Sequence, residues 1–234
     1  MQDAEWLRAA IKEKSANEIP LVAVCKQSLD RKEIEGWVAK AAEQGDGVSL
    51  YLSAGFIDNH SAAFRQQRLQ QAADTGYPEA EAFLAQNAMN GLMPGLSFDN
   101  AKRLLVDAAN SLPYAESILA MCEFTGCPGI EADIPAAVVH AREAAQRGNF
   151  DAISEIGPKL QASQIAPDEV QAWSLVAAML AQQGCSSNSL TVQRMTSWMS
   201  ALSPKTLSDR AKPMADDYWR EYGSQMMSNI GCTS

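Results

Sequence analysis

The chain has 234 residues, room for one or two domains and a sizeable core. It carries 19 basic against 28 acidic side chains, a net charge of −9, which sets it against polyanionic partners and argues against nucleic-acid binding. With 47% hydrophobic and 20% charged residues it has the composition of a globular chain. Abundant Ala and Gln with sparse Val, Ile and Thr favour helix over sheet.

No stretch reaches the ~20 apolar residues that span a bilayer. The start, Met1-Gln-Asp-Ala-Glu-Trp, has no basic segment followed by an apolar core, so no signal peptide is read there. Two settings fit: a cytoplasmic protein, or a mature periplasmic or cell-envelope chain whose leader has been removed. Residues 2–15 read as an amphipathic N-terminal helix through Trp6, Leu7, Ala10 and Ile11.

Self-similarity then dominates. Ala-Ala pairs stand at 41–42, 72–73, 108–109 and 144–145, and Leu180-Ala181 continues them. The second members lie 31, 36, 36 and 36 residues apart. Three residues later come Gly45, Gly76, Gly148 and Gly184, with Leu112 breaking the rule. An upstream series, Leu50, Leu84, Leu119 and Ile156, is spaced by 34, 35 and 37. Such a period is that of a helical hairpin. First helices are expected over Ala80 to Gly91 and Ala115 to Gly126, each ending on a glycine suited to the left-handed C′ conformation. Turns with Pro94-Gly95 or Pro128-Gly129 follow. Second helices begin near Asp99 or Asp133, acids suited to a helix N-terminus, and each closes on its Ala-Ala pair and a glycine. One hairpin cannot bury its apolar stripe alone, so consecutive hairpins must stack into an all-α solenoid.

The segment Trp37-Val-Ala-Lys-Ala-Ala-Glu-Gln-Gly45 resembles the close of a Sel1-like repeat. The runs Ala115-x-x-x-Leu119-Ala120, Gly126-x-x-Gly129-Ile130-x-x-Asp133 and Ala144-Ala145-x-x-Gly148 resemble the remainder, and Leu84-Ala85 to Ala108-Ala109 repeats them. The likeness covers roughly residues 20–184. It implies a right-handed α/α solenoid of four to five hairpins with N- and C-terminal capping helices. The second hairpin is short, with Ile57-Asp-Asn-His-Ser61 in place of the usual loop, and Pro158 and Pro167 flank a poorly matching stretch in the fifth. Residues 1–184 are read as the solenoid with its N-terminal cap, and 185–234 as a C-terminal helical cap of the same domain. Within that cap, one segment holds Val192, Met195, Trp198 and Met199. Another follows Ser203-Pro204 and runs through Tyr218-Trp219 towards Gly223, with Pro213 starting or kinking it.

Residues able to do chemistry are few. Of the histidines, His60 lies in the irregular second loop and His140 takes the repeat position of Trp37. Neither has a partner histidine at metal-ligand spacing, and no phosphate loop or dinucleotide fingerprint occurs. No catalytic residue, metal site or cofactor is therefore assigned. Carboxylates such as Glu131, Asp133, Asp216 and Asp217 read as caps and solvated faces.

Five cysteines, Cys25, Cys122, Cys127, Cys185 and Cys232, form no Cys-x-x-Cys pair. A Cys185–Cys232 bridge would close a loop of about 47 residues and staple the cap, worth roughly 4 kcal/mol on the chain-entropy model. The alternative is free thiols in a reducing cytoplasm. Cys122 and Cys127 straddle a helix end and are a further candidate pair.

Helical spacing from each opening alanine puts three positions of the first helix on one stripe. They are Ser49, Ser53 and Phe56 in the second hairpin, Phe83, Asn87 and Asn90 in the third, and Ile118, Cys122 and Thr125 in the fourth. Ser53, Phe56, Phe83, Asn87, Asn90, Ile118, Cys122 and Thr125 are the expected partner-binding residues. The resemblance implies a non-enzymatic module that binds a protein, as adaptor or inhibitor. An immunity protein that neutralises a secreted toxin or effector is the specific form of it, acting as a monomer or weak homo-oligomer. The alternatives are a cell-envelope hydrolase acting on peptidoglycan or a β-lactam, and a scaffold subunit of a secretion or signalling assembly.

Overall fold

A computed structural model describes residues 31–56, 61–93, 95–161, 164–180 and 209–229. The N-terminal amphipathic segment, His60, Gly184, Cys185 and Cys232 lie outside these residues. Among the described residues the chain is all helix: α1 (Arg31–Glu43), α2 (Gly47–Phe56), α3 (Ala62–Asp74), α4 (Pro78–Met89), α5 (Phe98–Ala109), α6 (Pro113–Thr125), α7 (Ile134–Gln146), α8 (Asp151–Ile156), α9 (Pro167–Leu180) and α10 (Ala211–Asn229). A 3-10 turn, Gly157–Lys159, follows α8. No helix among them is long and apolar enough to cross a membrane.

The fold is a helical repeat solenoid, and its two sequence series are its core. All four Ala-Ala pairs are buried, and so are Leu50, Leu84, Leu119 and Ile156. A methyl side chain lets a second helix approach its neighbour closely, and the longer aliphatic fills the space on the first helix. Gly45, Gly76, Gly91, Gly126 and Gly148 all have positive φ, as helix-ending glycines require. The α7 start follows the expected chemistry: Asp133 accepts from the Ala136 N–H at 3.1 Å, with a proline in the first turn.

The chain divides into two compact parts, up to Ser97 and from Phe98 onward, a division that falls inside the third hairpin. In the first part α1 packs on α2, α2 on α3 and α3 on α4. In the second, α5, α6 and α7 pack in succession, and α8 lies against both α6 and α7. The Ala152 N–H at the start of α8 donates to the buried Ser117 hydroxyl at 2.8 Å. α10 covers α9, with Ala211, Ala215 and Met226 buried. It begins at Ala211, with Pro213 in its first turn where no amide donor is needed, and continues past Gly223 to Asn229.

Leu112 does not replace a turn glycine; the turn itself is one residue shorter. In the other turns the glycine N–H bonds the second alanine's carbonyl: Gly45 to Ala42, Gly76 to Ala73 and Gly148 to Ala145. After Ala109 the Leu112 N–H bonds Ala108 instead, and Leu112 precedes the Pro113 start of α6 just as Tyr77 precedes Pro78. The carbonyl of Ala109 takes its bond from elsewhere, from Arg147 Nη1 at 2.8 Å. An arginine from the end of the next hairpin thus stands in for a missing main-chain donor. Arg147→Met should lower stability by about 2 kcal/mol by leaving that carbonyl without its donor. Inserting a glycine between Ser111 and Leu112 in that background should recover most of the loss in urea denaturation.

Candidate functional site

Among the described residues, the fourth hairpin brings together a group of ionisable side chains from α6 and α7. Glu116 and Glu123 lie one above the other on α6, seven residues apart, and face His140, Glu143 and Arg147 along α7 and its C-terminus. His140 Nδ1 is 2.6 Å from Glu123 Oε2, and its Nε2 is 3.9 Å from Glu116 Oε1. Arg147 Nη1 approaches Glu116 Oε2 at 3.3 Å. The order along the seam is Glu123, His140, Glu116, Arg147, with Glu143 beside Glu116.

Glu116 is 6% exposed. Burial pushes its carboxyl up to about 7, with Glu143 adding to the rise and His140 and Arg147 opposing it. The folded chain therefore holds this proton to about pH 7, whereas an unfolded chain releases it near 4.5. More protons are bound when folded, so this group's contribution to stability falls as pH rises from about 4.5 to about 7. Glu116→Gln removes that loss. Thermal melts at pH 8 should show the variant more stable than wild type by about 1–2 kcal/mol, and the difference should vanish by pH 4.5.

Beside this seam opens a cleft of about 500 Å³ between α5, α6 and α7, lined by Lys102, Val106, Leu119, Glu123, Gly129, Ile130, Glu131, Ala132, Asp133 and His140. Its rim is the turn between α6 and α7. Cys127 and Ile130 exchange two main-chain bonds across Pro128-Gly129, and the Asp133 N–H donates to the Glu123 carbonyl at 2.7 Å. Gly129 is at φ 85°, and a Cβ there would meet the Phe98 carbonyl oxygen at 2.9 Å, so only glycine fits. A Cys122–Cys127 disulfide, Cα to Cα 5.1 Å, ties the last turn of α6 to this loop.

In the first part lies a second, more apolar groove of about 330 Å³, lined by residues of α2, α3 and α4 and by Leu92 and Met93. Phe83 and Asn87 belong to it, with Phe83 44% and Leu92 68% exposed. Asn90 is exposed nearby in sequence, at the end of α4. Phe56 closes α2, and its side chain lies outside what is described.

The remaining expected binding residues divide. Ser53 is 2% exposed and donates to the Leu50 carbonyl, and Ile118 is 5% exposed in the core. Cys122 is buried as well and bonded to Cys127. These three offer no surface, because the stripe they share turns toward the neighbouring helices. Thr125 is exposed but ends α6. Sequence reasoning missed Glu116, Glu143 and Arg147. An available signal was His140-x-x-Glu143, one turn apart on a single face, and Glu81 and Glu116 recurring at the same hairpin position, both buried.

No protein-family model matches the chain. No curated protein matches it either. Among solved structures it is similar to a protective antigen present in uropathogenic Escherichia coli strains that displays an SLR fold, with TM-score 0.65 and 16% identity over 97% of this chain and 50% of that one. It is also similar to a Sel1 repeat protein from Oxalobacter formigenes, with TM-score 0.59 and 22% identity over 85% of this chain and 59% of that one. The chain thus spans about half to three-fifths of the length of the structures it matches. With these neighbours, the buried alanine pairs and the glycine-ended hairpins, the chain is a helical repeat protein with the Sel1-like fold.

Proposed function

We propose that the chain is a non-enzymatic protein-binding module that sequesters one protein partner, an immunity protein against a secreted toxin or effector being its specific form. The observation that carries this reading is the groove around Phe83. Large apolar groups stay exposed there after the hairpins have buried their stripes, rimmed by Arg65, Gln66 and Asn87. An apolar floor with an amide and guanidinium rim suits a protein ligand. The net charge of −9 favours steering toward a basic partner surface, and the Sel1-like fold is one used for protein binding. The Cys122–Cys127 bridge supports an oxidising setting, periplasm or cell envelope, for that encounter.

The experiment uses a partner recovered by crosslinking from the native host and then purified. Titration calorimetry should show tight binding to wild type and a loss of at least 100-fold in a Phe83→Asp, Leu92→Asp double variant, with Glu123→Gln unchanged. Unchanged affinity in the double variant removes the groove from the interface. Growth rescue on co-expression with the partner supports the immunity form; a partner without toxicity refutes it in favour of an adaptor or assembly scaffold.

A second reading, a cell-envelope hydrolase, has one observation in its favour: the Glu123–His140 pair opens onto the 500 Å³ cleft, where it could move a proton. The cleft lining holds no serine, threonine or cysteine. Turnover of a peptidoglycan fragment or a chromogenic β-lactam that His140→Ala abolishes would establish this reading over the first.

A further inference from the structure

We propose that Glu116, His140 and Glu143 form a binding site for a divalent transition-metal ion, with zinc best matched to the donor set. One ligand atom from each residue lies within 4.8 Å of the other two. Two of the ligands stand three residues apart on α7, on one face, and the third comes from the facing helix α6. One imidazole with two carboxylates suits zinc and its neighbours among the transition metals. Calcium and magnesium take six or more oxygen ligands and find too few here.

The orientation of His140 points the same way. With Nδ1–H donating a hydrogen bond to Glu123 at 2.6 Å, the neutral ring turns its Nε2 lone pair toward Glu116. A carboxylate holding the far nitrogen of a ligating histidine is how metal sites fix the ring and its tautomer. Zinc bonds of about 2.0–2.1 Å place neighbouring donors of a tetrahedron about 3.4 Å apart. The 3.9 Å between His140 Nε2 and Glu116 Oε1 therefore needs to close by only about half an ångström. Arg147, on the other oxygen of Glu116, keeps Oε1 turned toward the cluster and offsets part of the carboxylate charge. Glu116 is buried, His140 half-buried and Glu143 exposed, so an ion would enter from the Glu143 side and keep water in its fourth position. Bound there, it would tie the first turn of α6 to α7.

The test is titration calorimetry of the full-length chain with zinc chloride, together with the visible spectrum of the cobalt(II)-loaded protein. One zinc per chain is expected, not displaced by equimolar magnesium. Binding should weaken at least 10-fold in Glu143→Gln and be lost in His140→Ala. Glu123→Gln touches no metal and should weaken it about 10- to 100-fold. The cobalt band should disappear in Glu143→Gln, whose exposed side chain leaves folding intact and keeps the test decisive if His140→Ala does not fold. No zinc binding by wild type overturns the proposal. So does an affinity that Glu143→Gln leaves unchanged, which would place the ion elsewhere on the chain.

Discussion

Trp173→Ala should cost about 3–5 kcal/mol and unfold the second compact part at markedly lower urea. Trp173 is 1% exposed and is the largest fully buried side chain among the described residues. It stacks on Tyr218 of α10 at 4.2 Å between ring centres, with Phe150 and Tyr222 at 6.3 and 6.2 Å. Val176, Ala177, Ala215 and Met226 belong to the same buried cluster. Trp173→Phe should cost well under half as much. It keeps an aromatic face toward Tyr218 and removes an indole N–H that has no acceptor among the described residues. Urea unfolding followed by far-ultraviolet circular dichroism measures both, and equal losses in the two variants would mean that the stacking is not what matters.

The second large effect is expected at the Arg142–Glu169 pair. Arg142 Nε and Nη2 donate to the two oxygens of Glu169 at 2.7 and 2.8 Å, and Nη2 also donates to the Gln164 carbonyl at 3.0 Å. This is the two-pronged geometry that only a guanidinium supplies. The Glu169 side chain is 9% exposed and that of Arg142 is 38%. Removing the cation leaves a buried carboxylate and a main-chain carbonyl without donors. Arg142→Ala should therefore cost about 3 kcal/mol, below the fully buried case because water reaches the arginine. Arg142→Lys should recover less than half of that, since an ammonium cannot make the paired contact. The double change Arg142→Met, Glu169→Leu should be far milder than Arg142→Ala alone, because it leaves no buried charge. If the double variant is as unstable as the single one, packing rather than charge burial sets the loss.

The repeat was legible because a solenoid solves one packing problem repeatedly. Ala41-Ala42 and Ala144-Ala145 face the same kind of neighbour, so the same small residues recur at nearly the same spacing. Helix ends were legible for the same reason, down to Asp133 as a cap. The shortened turn at Leu112 stood in the sequence as a break, and the match of Tyr77-Pro78 with Leu112-Pro113 held the explanation. Arg147 as its remedy was not legible, since nothing local ties an arginine to a carbonyl 38 positions earlier.

The candidate site was largely hidden. Glu116 sits in the first turn of α6, where an acid ordinarily answers the helix dipole and faces water, yet here it is buried. Its partner His140 lies 24 positions on, outside any local motif. The expected stripe erred by a fraction of a helical turn. Ile118 and Cys122 point into the core, while Glu116 and Glu123, one or two positions away, face α7. A helix packed on two sides leaves a narrow outward face, and repeat spacing alone does not locate it. Phe83 and Asn87 fell on that face, and their counterparts one hairpin later did not.

The covering of α9 by α10 also bears on how the chain is made. Most contacts in a stack of hairpins join near neighbours, so each hairpin has what it needs soon after it is synthesised. The Trp173 cluster is different. It waits for Tyr218 and Met226, and the Asn229 side chain donates back to the Arg147 carbonyl, 82 positions earlier. While translation passes through the intervening segment, an apolar face around Trp173 stands open with its own cover still unmade. That interval is when the nascent chain is most prone to aggregation and most in need of a holding chaperone.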